Sequence, residues 1–244
     1  MTRCPSLPSR LRPLSLVAML AGSLWLTGCA SQAERGDGSS PAEAFTELGM
    51  AYLEQDNLPR AIAALNRALE NDARNPQALQ AMAIVYQRQG EDELADDTFQ
   101  QALKADPDYS RARNNYAAFL YDKGRTAEAC EQLELASRDT QYANRAQLFA
   151  NLGQCHWEMG DLAKARSSFE RAQSLEPRSP RSYFALAELE LTLGNPERAR
   201  QQLDAFIRLA GMTPNAQALA NDIAVARSGS TAVTPDPDTV RDAP

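Results

Sequence analysis

The chain has 244 residues, with 25 Lys+Arg against 32 Asp+Glu, a single His and four Cys, for a net charge of −7. With 43% hydrophobic residues it can bury a core as one large domain or one repeat array, which excludes wholesale disorder. The acidic balance argues against nucleic acid or an anionic lipid surface as partner, because phosphate contacts need Lys and Arg in excess. The sequence also holds no apolar run of about 18 residues, as a spanning helix would need.

In chain order, Arg3, Arg10 and Arg12 precede an apolar run from Leu14 to Leu26. A basic stretch followed by an apolar run too short to span a bilayer reads as a secretory signal peptide over 1–28. The run ends in Leu26-Thr27-Gly28-Cys29, which resembles the bacterial lipobox. That resemblance implies cleavage before Cys29 and a covalent lipid on its sulfur and new amine. Several acyl chains at about 0.8 kcal/mol per buried CH₂ make a lasting membrane anchor. Ala30 in place of Asp resembles lipoproteins that are passed to the outer membrane. Residues 29–41 are polar and rich in Gly and Ser, and they read as a lipidated flexible tether.

From Ala42 a pattern recurs every 34 residues. Its first copy reads A-x-x-F-x-x-L-G-x-x-Y, followed by Ala61, Leu65 and Ala68. The predicted copies are 42–75, 76–109, 110–145, 146–179 and 180–213, with a spacing of 36 between the third and fourth. Counting each copy from its first residue, slots 4, 7, 8 and 11 form an apolar helix face. Small residues at slots 8, 20 and 27 let two helix backbones approach closely. Gly90, Gly124, Gly160 and Gly194 occupy slot 15, where a helix ends and positive φ is needed; Asp56 stands there in the first copy. Pro107 and Pro177 mark the end of the second helix of a pair. The pattern resembles the tetratricopeptide repeat and implies an all-α solenoid, a superhelix of about five repeats. Pro214 to Arg227 reads as one more amphipathic helix capping the stack, and 228–244, rich in Pro and poor in apolar residues, as a disordered tail.

Catalytic signatures are missing: there is no phosphate loop, no H-E-x-x-H and no nucleophile elbow. His156 falls on a core slot, and Asp96 and Asp97 read as a solvated face. No metal site, no cofactor beyond the lipid and no small-molecule substrate are expected, and the chain reads as a non-enzyme. Cys130 and Cys155 fall on helices that neighbour each other in a solenoid. They are either a disulfide, allowed in an oxidising compartment, or two buried thiols.

In tetratricopeptide repeats the first helices line a concave groove, and slots 2, 5, 9, 12 and 13 face it. By that resemblance the groove candidates are Met50, Leu53, Ile84, Tyr121, Trp157, Phe184 and Leu191, with Arg88, Arg111 and Asn114 among them. An apolar stripe with aromatics and a few donors suits a peptide. Thr46 and Met50 replace the residues of the carboxylate clamp found in chaperone adaptors, which disfavours that role.

One stretch is more particular. Asn114, Asn115, Tyr116, Phe119, Leu120, Arg125, Glu128 and Ala129, followed by Asp139, Tyr142, Arg145, Asn151 and Gly153, resemble the type IV pilus biogenesis lipoproteins of the PilF/PilW family. The two extra residues between copies three and four fall in the same D-x-x-Y segment. The resemblance implies a pilotin on the periplasmic face of the outer membrane, with the secretin subunit of the pilus as partner. A repeat adaptor for cell-wall enzymes or envelope proteases is the alternative.

Overall fold

The computed structural model describes residues 40–231. The signal segment, Cys29, nearly all of the tether and residues 232–244 lie outside the described residues. The described residues form eleven α-helices and no strand. They pair as α1 (Pro41–Glu54) with α2 (Leu58–Asn71), α3 (Pro76–Gln89) with α4 (Asp92–Ala105), and α5 (Ser110–Asp122) with α6 (Thr126–Ala136). Next come α7 (Arg145–Glu158) with α8 (Leu162–Leu175), then α9 (Pro180–Thr192) with α10 (Pro196–Ala210). Helix α11 (Pro214–Thr231) follows. This is the all-α tetratricopeptide solenoid that the period implies.

The turn within each pair is built once and used five times. Gly90, Gly124, Gly160 and Gly194 all take positive φ, between 73° and 79°, and Asp56 takes 56° in the first turn. The residue after each returns its N–H to the carbonyl five positions back. Asn57 to Tyr52, Glu91 to Tyr86, Arg125 to Leu120, Asp161 to His156 and Asn195 to Glu190 are all 2.8 or 2.9 Å. This closure satisfies a helix-end carbonyl and fixes the angle at which the second helix departs. Two of the five second helices also start on side-chain caps: Asn57 accepts from the Arg60 N–H, and Asp161 from the Lys164 N–H at 3.2 Å.

Pairs close on small residues. Ala61, Ala95, Ala129, Ala165 and Ala199, one per repeat, are fully buried. Opposite them, a Cβ on Gly49 would sit 2.6 Å from Leu65, and one on Gly153 would sit 2.5 Å from Phe169. Glycine at those two slots therefore makes room for the larger side chain. The core follows the stack as successive clusters, with Leu65 in one, Phe99, Phe119 and Leu148 in the next, then Phe169 with Leu189, and Leu203 in the last.

The joint between the third and fourth repeats departs from this regularity. Helix α6 has 11 residues where the other second helices have 14 or 15, and residues 137–144 form turns before α7 starts. The Ser110 hydroxyl donates to the Asp139 carboxylate at 2.7 Å, and Asp139 also accepts from the Gln141 N–H at 2.8 Å. Tyr142 packs on the core, and the Arg145 guanidinium lies over the Phe149 ring. Cys130 on α6 and Cys155 on α7 form a disulfide with Cα atoms 5.6 Å apart.

Helix α11 buries Ala216, Leu219 and Ile223 against α9 and α10. It continues to Thr231, past the predicted end at Arg227, which corrects the start assigned to the tail. No proline interrupts the chain before Pro235, and the Ser228 hydroxyl bonds the Val225 carbonyl at 2.8 Å, so nothing stops the helix at 227.

Candidate partner-binding groove

The first helices of the repeats lie side by side, and their groove slots fall into two kinds. In the first two repeats they are occupied from within. Leu53 is 5% exposed and shares a core cluster with Met82 and Val85, which removes it from the groove candidates. Its apolar side chain sits at the end of α1 where the next repeat covers it. Met50 and Ile84 are half-buried against the same cluster. Arg88 is also committed: its guanidinium donates to the Leu53 carbonyl at 2.8 Å and to the Asp56 carboxylate at 3.0 Å. It ties two repeats together at the end of α1 through one guanidinium nitrogen.

From the third repeat onward the slots open. Between α5 and α7 lies a cleft of about 130 Å³ whose floor is Ala117 and Leu133. Its walls are Ala118, Tyr121, Asp122, Asn151, Gln154 and Arg181. A polar ladder crosses it: Asn151 donates to the Asn114 side-chain oxygen at 3.3 Å, and Arg181 donates to Asn151 at 3.1 Å. The Tyr121 hydroxyl donates to the Glu158 carboxylate across the same gap. Burial and that carboxylate push the Tyr121 hydroxyl pKa up. Asparagine amides both donate and accept, which suits them to a peptide backbone.

Gln154 is shared with a second, wider cleft of about 390 Å³ lined by Trp157, Glu158, Glu188, Leu191, Thr192 and Leu219. Trp157 stands edge-on to Phe169, with ring centroids 6.3 Å apart. Phe184 packs on Phe206 at 5.0 Å and is half-buried in the last core cluster, leaving it a supporting role. Leu191 is half-buried, and Arg111 is exposed at the start of α5. Glu158, Glu188, Gln154 and Arg181 also sit on groove slots, and the candidates taken from those slots did not include them. Leu133 and Leu219 lie outside the first helices of the five repeats, so no slot rule would find them.

The family-motif residues mostly face elsewhere. Tyr116 donates to Asp96 at 2.7 Å, and Arg125 bonds Asp96 at 2.9 Å and Glu128 through two nitrogens at 2.7 and 2.6 Å. Asp96 is therefore the hub of a network joining the second and third repeats, not part of a solvated face. Burial and then the Asp96 hydrogen bond push the Tyr116 pKa up to about 12. The Glu128 hydrogen bond holds the Arg125 proton more firmly still. Phe119, Leu120 and Ala129 are core, so of the motif only Asn114 and Asn151 reach the groove.

His156 is buried, 3.8 Å from Glu134, and burial pushes its pKa down. It points into the repeat core away from both clefts' linings. Among the described residues there is no metal-ligand cluster and no helix long and apolar enough to cross a membrane. The clefts offer recognition groups: amides, carboxylates, one guanidinium and apolar walls.

Family profiles described as Tetratricopeptide repeat match residues 29–78, 78–113, 108–175 and 151–226. The type IV pilus assembly protein PilF of Pseudomonas aeruginosa is 34% identical over 219 residues, covering 87% of this chain and 85% of that protein. A solved structure of Pseudomonas aeruginosa PilF superposes with a TM-score of 0.71 at 32% identity, covering 78% of this chain and 86% of its own. PilW, described as a widely conserved type IV pilus biogenesis factor, superposes with a TM-score of 0.69 at 25% identity, covering 80% and 90%.

Proposed function

The chain belongs to the PilF family of tetratricopeptide repeat proteins, which are interaction scaffolds and not enzymes, and from that premise we propose that it acts in type IV pilus biogenesis as a pilotin. In this reading Cys29 carries the lipid, the protein sits on the periplasmic face of the outer membrane, and its groove binds the secretin subunit. The observation that carries the reading is the 34% identity to PilF across 87% of the chain. Two features agree with it. The Cys130–Cys155 disulfide suits an oxidising compartment. The open clefts on the first helices supply peptide-type recognition without catalysis. An acyl anchor with its own route to the outer membrane would carry a bound subunit along.

The test is to fractionate membranes from cells lacking the protein and to blot unboiled samples for secretin rings. Rings missing from the outer membrane, restored by the wild-type gene and not by a Cys29→Ala gene, are the expected result. Rings intact at the outer membrane in the deletion would overturn the pilotin role and move the function to an adaptor for cell-wall enzymes or proteases.

A further inference from the structure

The repeats treat buried carboxylates consistently, with one exception. Glu190 is 1% exposed, and Arg166 meets it at 2.7 Å, with the Asn195 amide donating at 2.9 Å. Asp96 is met by Arg125 and Tyr116. In each case a neighbouring element supplies the cation that offsets the loss of water. Glu188, two residues before Glu190, is half-buried, yet its carboxylate has no hydrogen-bond or ion-pair partner among the described residues. Burial raises its pKa, with no nearby charge acting on it. The half-buried carboxylate still reaches water, so in the free protein it is an open acceptor on the wall of the cleft.

The surroundings of Glu188 describe what would complete it. It lines the wider cleft with Trp157, Leu191 and Leu219, and Glu158 stands on the same wall. Glu158 is held in place by Gln154, which donates at 3.0 Å, and by the Tyr121 hydroxyl. Two carboxylates beside apolar and aromatic surface match a long cationic side chain. Its alkyl stem lies along leucines, and its charge meets acid and indole. An acidic segment would be repelled there, and a purely apolar one would leave Glu188 desolvated and unpaired.

We propose that the surface walled by Trp157, Glu158, Glu188, Leu191 and Leu219 receives a Lys or Arg side chain carried on an otherwise apolar, extended segment of the protein partner. This deepens the groove-binding reading and rests on it. It also gives α11 a second role, since Leu219 of the capping helix forms part of the wall.

The probe is a phage-displayed library of random peptides panned on the full-length protein. Enriched peptides should place Lys or Arg among apolar residues, and their affinity should fall at least about tenfold in Glu188→Gln, as expected for loss of a charge-assisted contact. Replacing the basic residue of an enriched peptide by Glu should abolish binding. A second variant guards against misfolding. Thr192→Lys places a cation one helical turn beyond Glu188, where it fills the site from within. It should lose binding about as much while melting no earlier than wild type. Enriched peptides without basic residues, or affinity unchanged in both variants, would overturn the inference. A second array, of peptides from the secretin subunit, separates this inference from the pilotin reading. Basic library peptides that bind while no secretin peptide does would keep the inference and sink the secretin partner. Secretin peptides that bind equally well to Glu188→Gln would do the reverse.

Discussion

The first two repeats and the joint between the third and fourth use the same helices to different ends. In the former, groove positions are spent on holding the stack together: Leu53 joins the core and Arg88 closes the end of α1. In the latter, the turns of 137–144 replace the short link found elsewhere, and an apolar floor opens between α5 and α7. What apolar packing does at a regular joint is shared there with a disulfide, the Ser110–Asp139 bond and an amide ladder. Regularity stabilises, and the break in regularity leaves room for a partner.

The largest effect is expected from removing core in the second repeat. Phe99→Ala empties a fully buried site and should cost about 3–5 kcal/mol in chemical denaturation. A cost near zero would mean that this repeat is not held by its core. Next comes the disulfide. Cys130 and Cys155 are separated by 25 positions, and replacing both by Ala should cost about 3 kcal/mol. Hydrogen exchange should show the loss first in α6 and α7, and uniform loss along the chain would contradict a local staple.

A smaller effect is expected from Tyr116→Phe, which removes the hydroxyl bonded to Asp96 and should cost about 1 kcal/mol. Peptide affinity should not change, because this motif residue is structural; a large drop in affinity would return the motif to the binding site.

The smallest effect is expected from pH. The His156 pKa is lowered by burial in the folded state, so the unfolded chain binds the extra proton first. Stability is therefore full above the unfolded value of about 6.5 and is lost as pH falls through the lower folded value. The charged groups facing it are Glu134, Asp161 and Lys164. His156→Gln should flatten the melting temperature between pH 7 and 5, and an unchanged slope would assign it to other groups.

Much of the fold was legible because it is periodic. The glycines of slot 15, the alanines of slot 20 and the five-copy spacing each report a backbone requirement that repeats. The groove was legible only as a set of slots. Whether a slot faces a partner depends on neighbours far along the chain: Leu53 is claimed by the next repeat, and Phe184 by Phe206. Asp96 read as solvated because its partners Tyr116 and Arg125 lie 20 and 29 residues away. Glu188 was passed over because the cleft it lines is formed with Trp157 and Leu219, about 30 residues away on either side, which no local pattern reports.

In the proposed function the open clefts of the later repeats, and not the motif network, carry partner binding. The direct test is the unboiled secretin blot on outer membranes from cells whose only copy is E158K/E188K, beside cells whose only copy is Y116F. Rings should be lost in the first, with the protein present at wild-type level and folded, and kept in the second. Rings intact in E158K/E188K would contradict it.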